Sequence, residues 1–128
     1  MPLVHRYRGV MRHVVTDEDT AISLGSGDVA VLATPRLIAW LEAETVLVAA
    51  PLLADGQTSV GTAVRIDHLK ATAVGGSVEV SARLVSPAGA RRLAFEVAAT
   101  DDDGELVGGG EITRVAVDRA RFARSTRA

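Results

Sequence analysis

Glu42 is the residue that first asks for a chemical explanation. It stands in the middle of a segment, PRLIAWLEAETVLVAA, whose other side chains are almost all apolar. On a helix its neighbours three and four positions away are Ile38, Ala39, Thr45 and Val46, so it interrupts an apolar stripe. A carboxylate buried there is desolvated, its pKa rises, and it becomes a candidate acid, base or nucleophile. The plainer reading is an exposed glutamate, and Glu44 competes with it for the buried position. His68 ends an alternating run and shares a strand face with Val60, Thr62, Val64 and Ile66, the face expected to meet the helix. An imidazole and a carboxylate meeting in a water-poor groove make a general-base pair. Thr34 precedes Pro35 at the helix start. It suits an N-cap, and the free N–H groups and positive dipole end beside it suit a developing oxyanion. Gly61 and Thr62 allow a backbone to approach a ligand closely, although a strand glycine packed against the helix explains Gly61 equally well.

These residues need a helix and a sheet to position them. Thr34-Pro35 opens the helix and Pro51 closes it near Ala50, giving about 16 residues. Before it, Leu3 to Val15 reads as a strand and TDEDTAISLGSGDVAV as a loop with a short helical turn. After it come four strand candidates, Ser59–Lys70, Ser77–Ser86, Arg91–Thr100 and Glu105 to about Asp118, separated by Gly75-Gly76, Pro87-Ala88-Gly89 and Asp103-Gly104. Val78, Val80, Ala82 and Leu84, then Leu93, Phe95, Val97 and Ala99, form the inward faces. The run Gly108-Gly109-Gly110 suggests a bulge or a close backbone approach, not a phosphate loop, because no Lys-Ser/Thr follows it. The predicted class is α+β: an antiparallel sheet wrapped around one long central helix. One sheet cannot cover an apolar helix on all sides and leaves its edge strands open, which predicts a dimer.

Composition narrows the functions. The 128 residues suit a single domain spanning 1–128, with the basic tail from about residue 119 expected to be flexible. Aromatics are only 3% of the chain, so the core is built from Val, Leu, Ile and Ala. A net charge of -2 argues against nucleic acid as partner. With no cysteine, disulfides, thiolate metal sites and cysteine nucleophiles are excluded, and His5, His13 and His68 lack metal-ligand spacing. No apolar segment is long enough for a membrane span and no signal sequence is recognisable, so the cytoplasm is expected. Arg114, Arg119, Arg121, Arg124 and Arg127 read mostly as solvated side chains, with contacts to ligand phosphates as the sharper possibility.

The joint spacing resembles a known family. Thr34, seven residues, Glu42, then Gly61-Thr62-Ala63 with His68 seven residues after Gly61 is similar to the hot-dog-fold thioesterases of the fluoroacetyl-CoA thioesterase type. The likeness runs from about residue 30 to 122 through LIAWLEAETVLVAAPLLADGQTSVGTAVRIDH and RRLAFEVAATDDDGELVGGGEITRVAV. It implies a hot-dog fold and a homodimer with its active site near the subunit interface. It also implies hydrolysis of an acyl-CoA or acyl-carrier thioester without metal or cofactor. Thr34, Glu42 and His68 match the family's catalytic residues, and Gly61, followed by Thr62, matches a glycine beside the thioester carbonyl. The fluoroacetyl-specific member carries a phenylalanine-rich lid before its threonine. Here that segment is LGSGDVAVLAT, without an aromatic residue, so fluoroacetyl specificity is not implied; Val29, Val31, Leu32 and Trp40 are the candidates for shaping the acyl pocket instead. A non-catalytic acyl-CoA-binding module and a hot-dog hydratase or dehydratase are the alternatives.

Overall fold

The structure, a computed structural model, describes residues 7–126. Strand β1 spans Arg8–Val14; the predicted start of this strand at residues 3–6 lies outside the described residues. A 3-10 turn (Asp17–Asp19) and the four-residue helix α1 (Ala21–Leu24) follow, and then the long helix α2, Thr34–Ala49. Strands β2 (Gln57–His68), β3 (Ser77–Leu84), β4 (Arg92–Asp101) and β5 (Leu106–Asp118) complete the sheet. Within the basic tail, Arg119–Ser125 form a short helix, α3, capped by the Asp118 side chain. Among the described residues, no helix is long and apolar enough to cross a membrane.

Five strands form one antiparallel sheet in the order β1-β3-β4-β5-β2. Helix α2 therefore carries the chain from one edge of the sheet to the other. Its core face repeats at three to four residues: Leu37, Leu41, Thr45, Val48 and Ala49 are buried. Leu37, Leu41, Val48 and Ala49 lie with Val78, Val80, Leu93, Phe95, Val107 and Ile112 in one hydrophobic cluster. Truncating Leu37 or Leu41 to alanine would cost about 2–5 kcal/mol. The opposite face of α2 is also apolar, with Val46 43% and Leu47 56% exposed. One sheet covers one side of this helix and no more.

The alternation expected for β2 does not hold along its whole length. The β2–β5 register shifts between Gly61 and Ala63, with Thr62 as the extra residue of a bulge. Gly61 pairs with Arg114 and Val64 with Ile112, and both partners are buried on the helix side. Gly61 thus shares the inward face with Val64, Ile66 and His68, while Val60 and Thr62 do not. One inserted residue exchanges the faces before it, because the side-chain period of a strand is two. The glycine run on β5 sits where neighbouring backbones come close: a Cβ on Gly110 would stand 1.9 Å from the Arg65 carbonyl oxygen.

The connection before α2 is pinned at several points. Asp19 accepts from the Thr16 hydroxyl and forms an ion pair with Arg36 at 3.0 Å. Leu32 N–H donates to the Thr72 carbonyl and Ala33 N–H to the Asp19 carbonyl, both at 2.8 Å. These bonds fix where Thr34 emerges.

Candidate active site

Two clusters that include sequence-predicted residues form along the strip where α2 faces β2. The first is Thr34 with His68. The N-cap of α2 is Ala33, not Thr34, and no side chain caps it. The predicted capping role of Thr34 is therefore overturned, and the reason is visible: Thr34 is the first helical residue and its hydroxyl bonds Nδ1 of His68 at 2.8 Å. Nε2 of His68 is buried and has no hydrogen-bond partner among the described residues. Desolvation holds the His68 pKa below the ordinary histidine value, partly offset by the Lys70 backbone. The ring is thus neutral near pH 7, fixed through one nitrogen and free at the other. It stands at the N-terminal, positive end of a 16-residue helix.

The second cluster is Glu42, Gly61, Arg114 and Ser59. Glu42 Oε2 lies 3.7 Å from a terminal guanidinium nitrogen of Arg114. Arg114 also donates from Nε to the Ser59 hydroxyl at 2.8 Å and from its other terminal nitrogen to the Ser59 carbonyl at 3.0 Å. Its side chain is 8% exposed against 38% for Glu42, so a buried cation directs a half-open carboxylate. Gly61 makes the room: a Cβ at this position would meet Glu42 Oε2 at 2.6 Å. The sequence reading placed Arg114 among solvated arginines. A signal was available, since Arg114 is the one charged residue in the inward series Ile112, Arg114, Ala116 of β5.

Glu42 and His68 make no hydrogen bond or ion pair with each other within 4.0 Å. Glu42 lies eight helical steps after Thr34, about 12 Å of axial rise, so the two clusters leave a gap between them. Thr62 joins neither cluster; its hydroxyl donates to the Thr113 carbonyl at 3.3 Å. The more deeply buried acid on α2 is Glu44, 4% exposed, which faces Gly9 of β1 and not the strip beside β2. Desolvation raises its pKa. Trp40 stacks on His13 of β1, with ring centroids 4.4 Å apart, and so stands away from Thr34 and His68. Val29, Val31 and Leu32 do line a cavity of about 330 Å³ that reaches both of those residues. Among the described residues no three His, Asp or Glu side chains converge as metal ligands.

Comparison with known proteins identifies the family. A sequence model of the fluoroacetyl-CoA-specific thioesterase family matches residues 15–120. A fluoroacetyl-CoA thioesterase of Streptantibioticus cattleyicolor is 36% identical over 97 residues, covering 76% of this chain and 68% of its own. A mutant of the fluoroacetyl-CoA-specific thioesterase FlK, solved with fluoroacetate and CoA, superposes with a TM-score of 0.78 at 30% identity, covering 90% of this chain and 95% of its own. A hot-dog-like protein from Thermanaerovibrio acidaminovorans shares the fold at a TM-score of 0.83 and 19% identity, over 92% and 86% of the two chains. The sheet-around-helix architecture is the hot-dog fold, and the chain belongs to the fluoroacetyl-CoA-specific thioesterase family.

Proposed function

We propose that this thioester hydrolase cleaves a small or medium acyl-CoA to the free acid and CoA, with Thr34, Glu42 and His68 carrying the chemistry. The observation that carries the reading is the Thr34–His68 bond of 2.8 Å at the start of α2, with Nε2 of the ring unpaired and Glu42 further along the same helix. A thioester carbonyl in the gap between the clusters meets the imidazole on one side and the carboxylate on the other. Glu42 attacks the carbonyl carbon or takes a proton from water that does so; both routes use the same contacts. Thr34 orients the ring. When Nδ1–H donates to the hydroxyl, Nε2 is a base for water. When the hydroxyl donates to Nδ1, Nε2 carries the proton that the leaving thiolate needs. Arg114 aims Glu42 through their ion pair, and Gly61 leaves the space that Glu42 occupies. Thr62, on the bulge, shapes the strand next to the substrate.

The working unit in this proposal is a homodimer, with 1–128 as one domain. Strand β2 is an edge strand with Val64 43% exposed, and the uncovered face of α2 carries Val46 and Leu47. Pairing of two β2 edges would cover both surfaces and place the Glu42 strip near the interface. A coenzyme A substrate supports the cytoplasm as the compartment.

The test is a free-thiol assay against a panel of acyl-CoAs, with light scattering for the mass. Thiol release from a particle of two chains is the expected result. Thermal stabilisation by acyl-CoA without thiol release would instead indicate a binding module, and a change in enoyl absorbance would indicate a hydratase.

A further inference from the structure

A thioester carbonyl has two arms, the acyl group and the thiol carrier with its phosphates. The cavity of about 330 Å³ beside Thr34 and His68 can receive only one of them. Its apolar walls are Ala21, Val29, Val31, Leu32 and Leu69. Two charged side chains reach it, Asp28 and Lys70. The Lys70 ammonium is engaged by Asp101 at 2.5 Å and Glu105 at 3.2 Å. Asp28, in contrast, is exposed and has no ion pair or hydrogen bond among the described residues. The free charge in this cavity is therefore negative, which repels phosphates and leaves the acyl arm as the occupant.

Size and charge then specify the acyl group. The cavity, about 330 Å³ and open to solvent on one side, offers far more room than a two-carbon acyl group fills. Ser26, Gly27, Asp28 and Val29, which line it, include no aromatic side chain. We infer that this cavity selects uncharged aliphatic acyl groups longer than two carbons, on the order of four to eight, and that Asp28 rejects acyl groups ending in a carboxylate. This rests on the hydrolase reading above and adds the substrate class to it.

The experiment measures kcat/KM for acetyl-, butyryl-, hexanoyl- and succinyl-CoA by thiol release. Each buried methylene is worth about a three- to fourfold gain, so hexanoyl-CoA should exceed acetyl-CoA by at least about tenfold, and succinyl-CoA should fall about tenfold below butyryl-CoA. Val29 is a loop residue 57% exposed, so Val29→Trp fills the cavity without entering the core; it should lower the hexanoyl/acetyl ratio to near one. Asp28→Lys should raise the succinyl/butyryl ratio about tenfold. Thiol release that favours acetyl-CoA, or variants that change all four substrates by one factor, would overturn the acyl assignment while leaving the hydrolase intact. Release from none of the four by the folded protein would overturn both.

Discussion

Gly61→Ala isolates the placement of the Glu42 carboxylate from its chemistry. The backbone at Gly61 does not need positive φ, so alanine fits the strand conformation. The added Cβ would stand 2.6 Å from Glu42 Oε2, and an ordinary contact begins near 3.4 Å. The carboxylate must retreat by about 0.8 Å, and a displacement near 1 Å in a reacting group costs up to about 10²-fold in rate, some 2.7 kcal/mol of barrier. Folding should change far less. The group that yields is the end of a flexible side chain 38% exposed, and the Gly→Ala exchange itself restricts the unfolded chain by about 0.4–1 kcal/mol. The assay pairs thiol-release kinetics with thermal unfolding of wild type and variant. The expected outcome is a 10- to 100-fold lower kcat with a Tm within a few degrees of wild type. A kcat within twofold of wild type would rule out a reacting role for Glu42 at this position, because the carboxylate would then tolerate a shift that a reacting group does not.

Other consequences follow from the same geometry. Arg114→Met removes the hydrogen bonds to Ser59 and the ion pair to Glu42; a loss of about 1–3 kcal/mol in denaturant unfolding and a more than tenfold drop in kcat are expected. Because desolvation lowers the His68 pKa, the acidic limb of kcat/KM should lie below the ordinary histidine range, which a pH–rate profile will show. Glu44 has a raised pKa in the folded protein, so its contribution to stability is full below its unfolded pKa and is lost as pH rises through the folded value. Glu44→Gln should therefore gain Tm over wild type at neutral pH, with the gain vanishing toward acidic pH.

The architecture was legible because its signals are local. Pro35 and Pro51 bracket α2, and the alternation of β3 and β4 named their buried residues one by one. The site was only half legible. Alternation put His68 on the helix face, and it lies there, but the same count assigned Gly61 to the far face because a bulge at Thr62 leaves no mark on the hydrophobic pattern. Thr34 looked like a cap because its hydroxyl's true partner is 34 positions away on another element. Glu42 and Glu44 were indistinguishable by composition; the packing of β1 against α2 buried Glu44 and left Glu42 facing Arg114. Contacts of long sequence separation decided every one of these positions.

In the proposed reaction Glu42 and His68 act on one thioester from the two ends of that gap. Thiol-release turnover of Glu42→Gln and His68→Ala, each confirmed folded by circular dichroism and thermal unfolding, tests it most directly. Each substitution should abolish turnover while the fold persists. Turnover near the wild-type rate in either folded variant would contradict it.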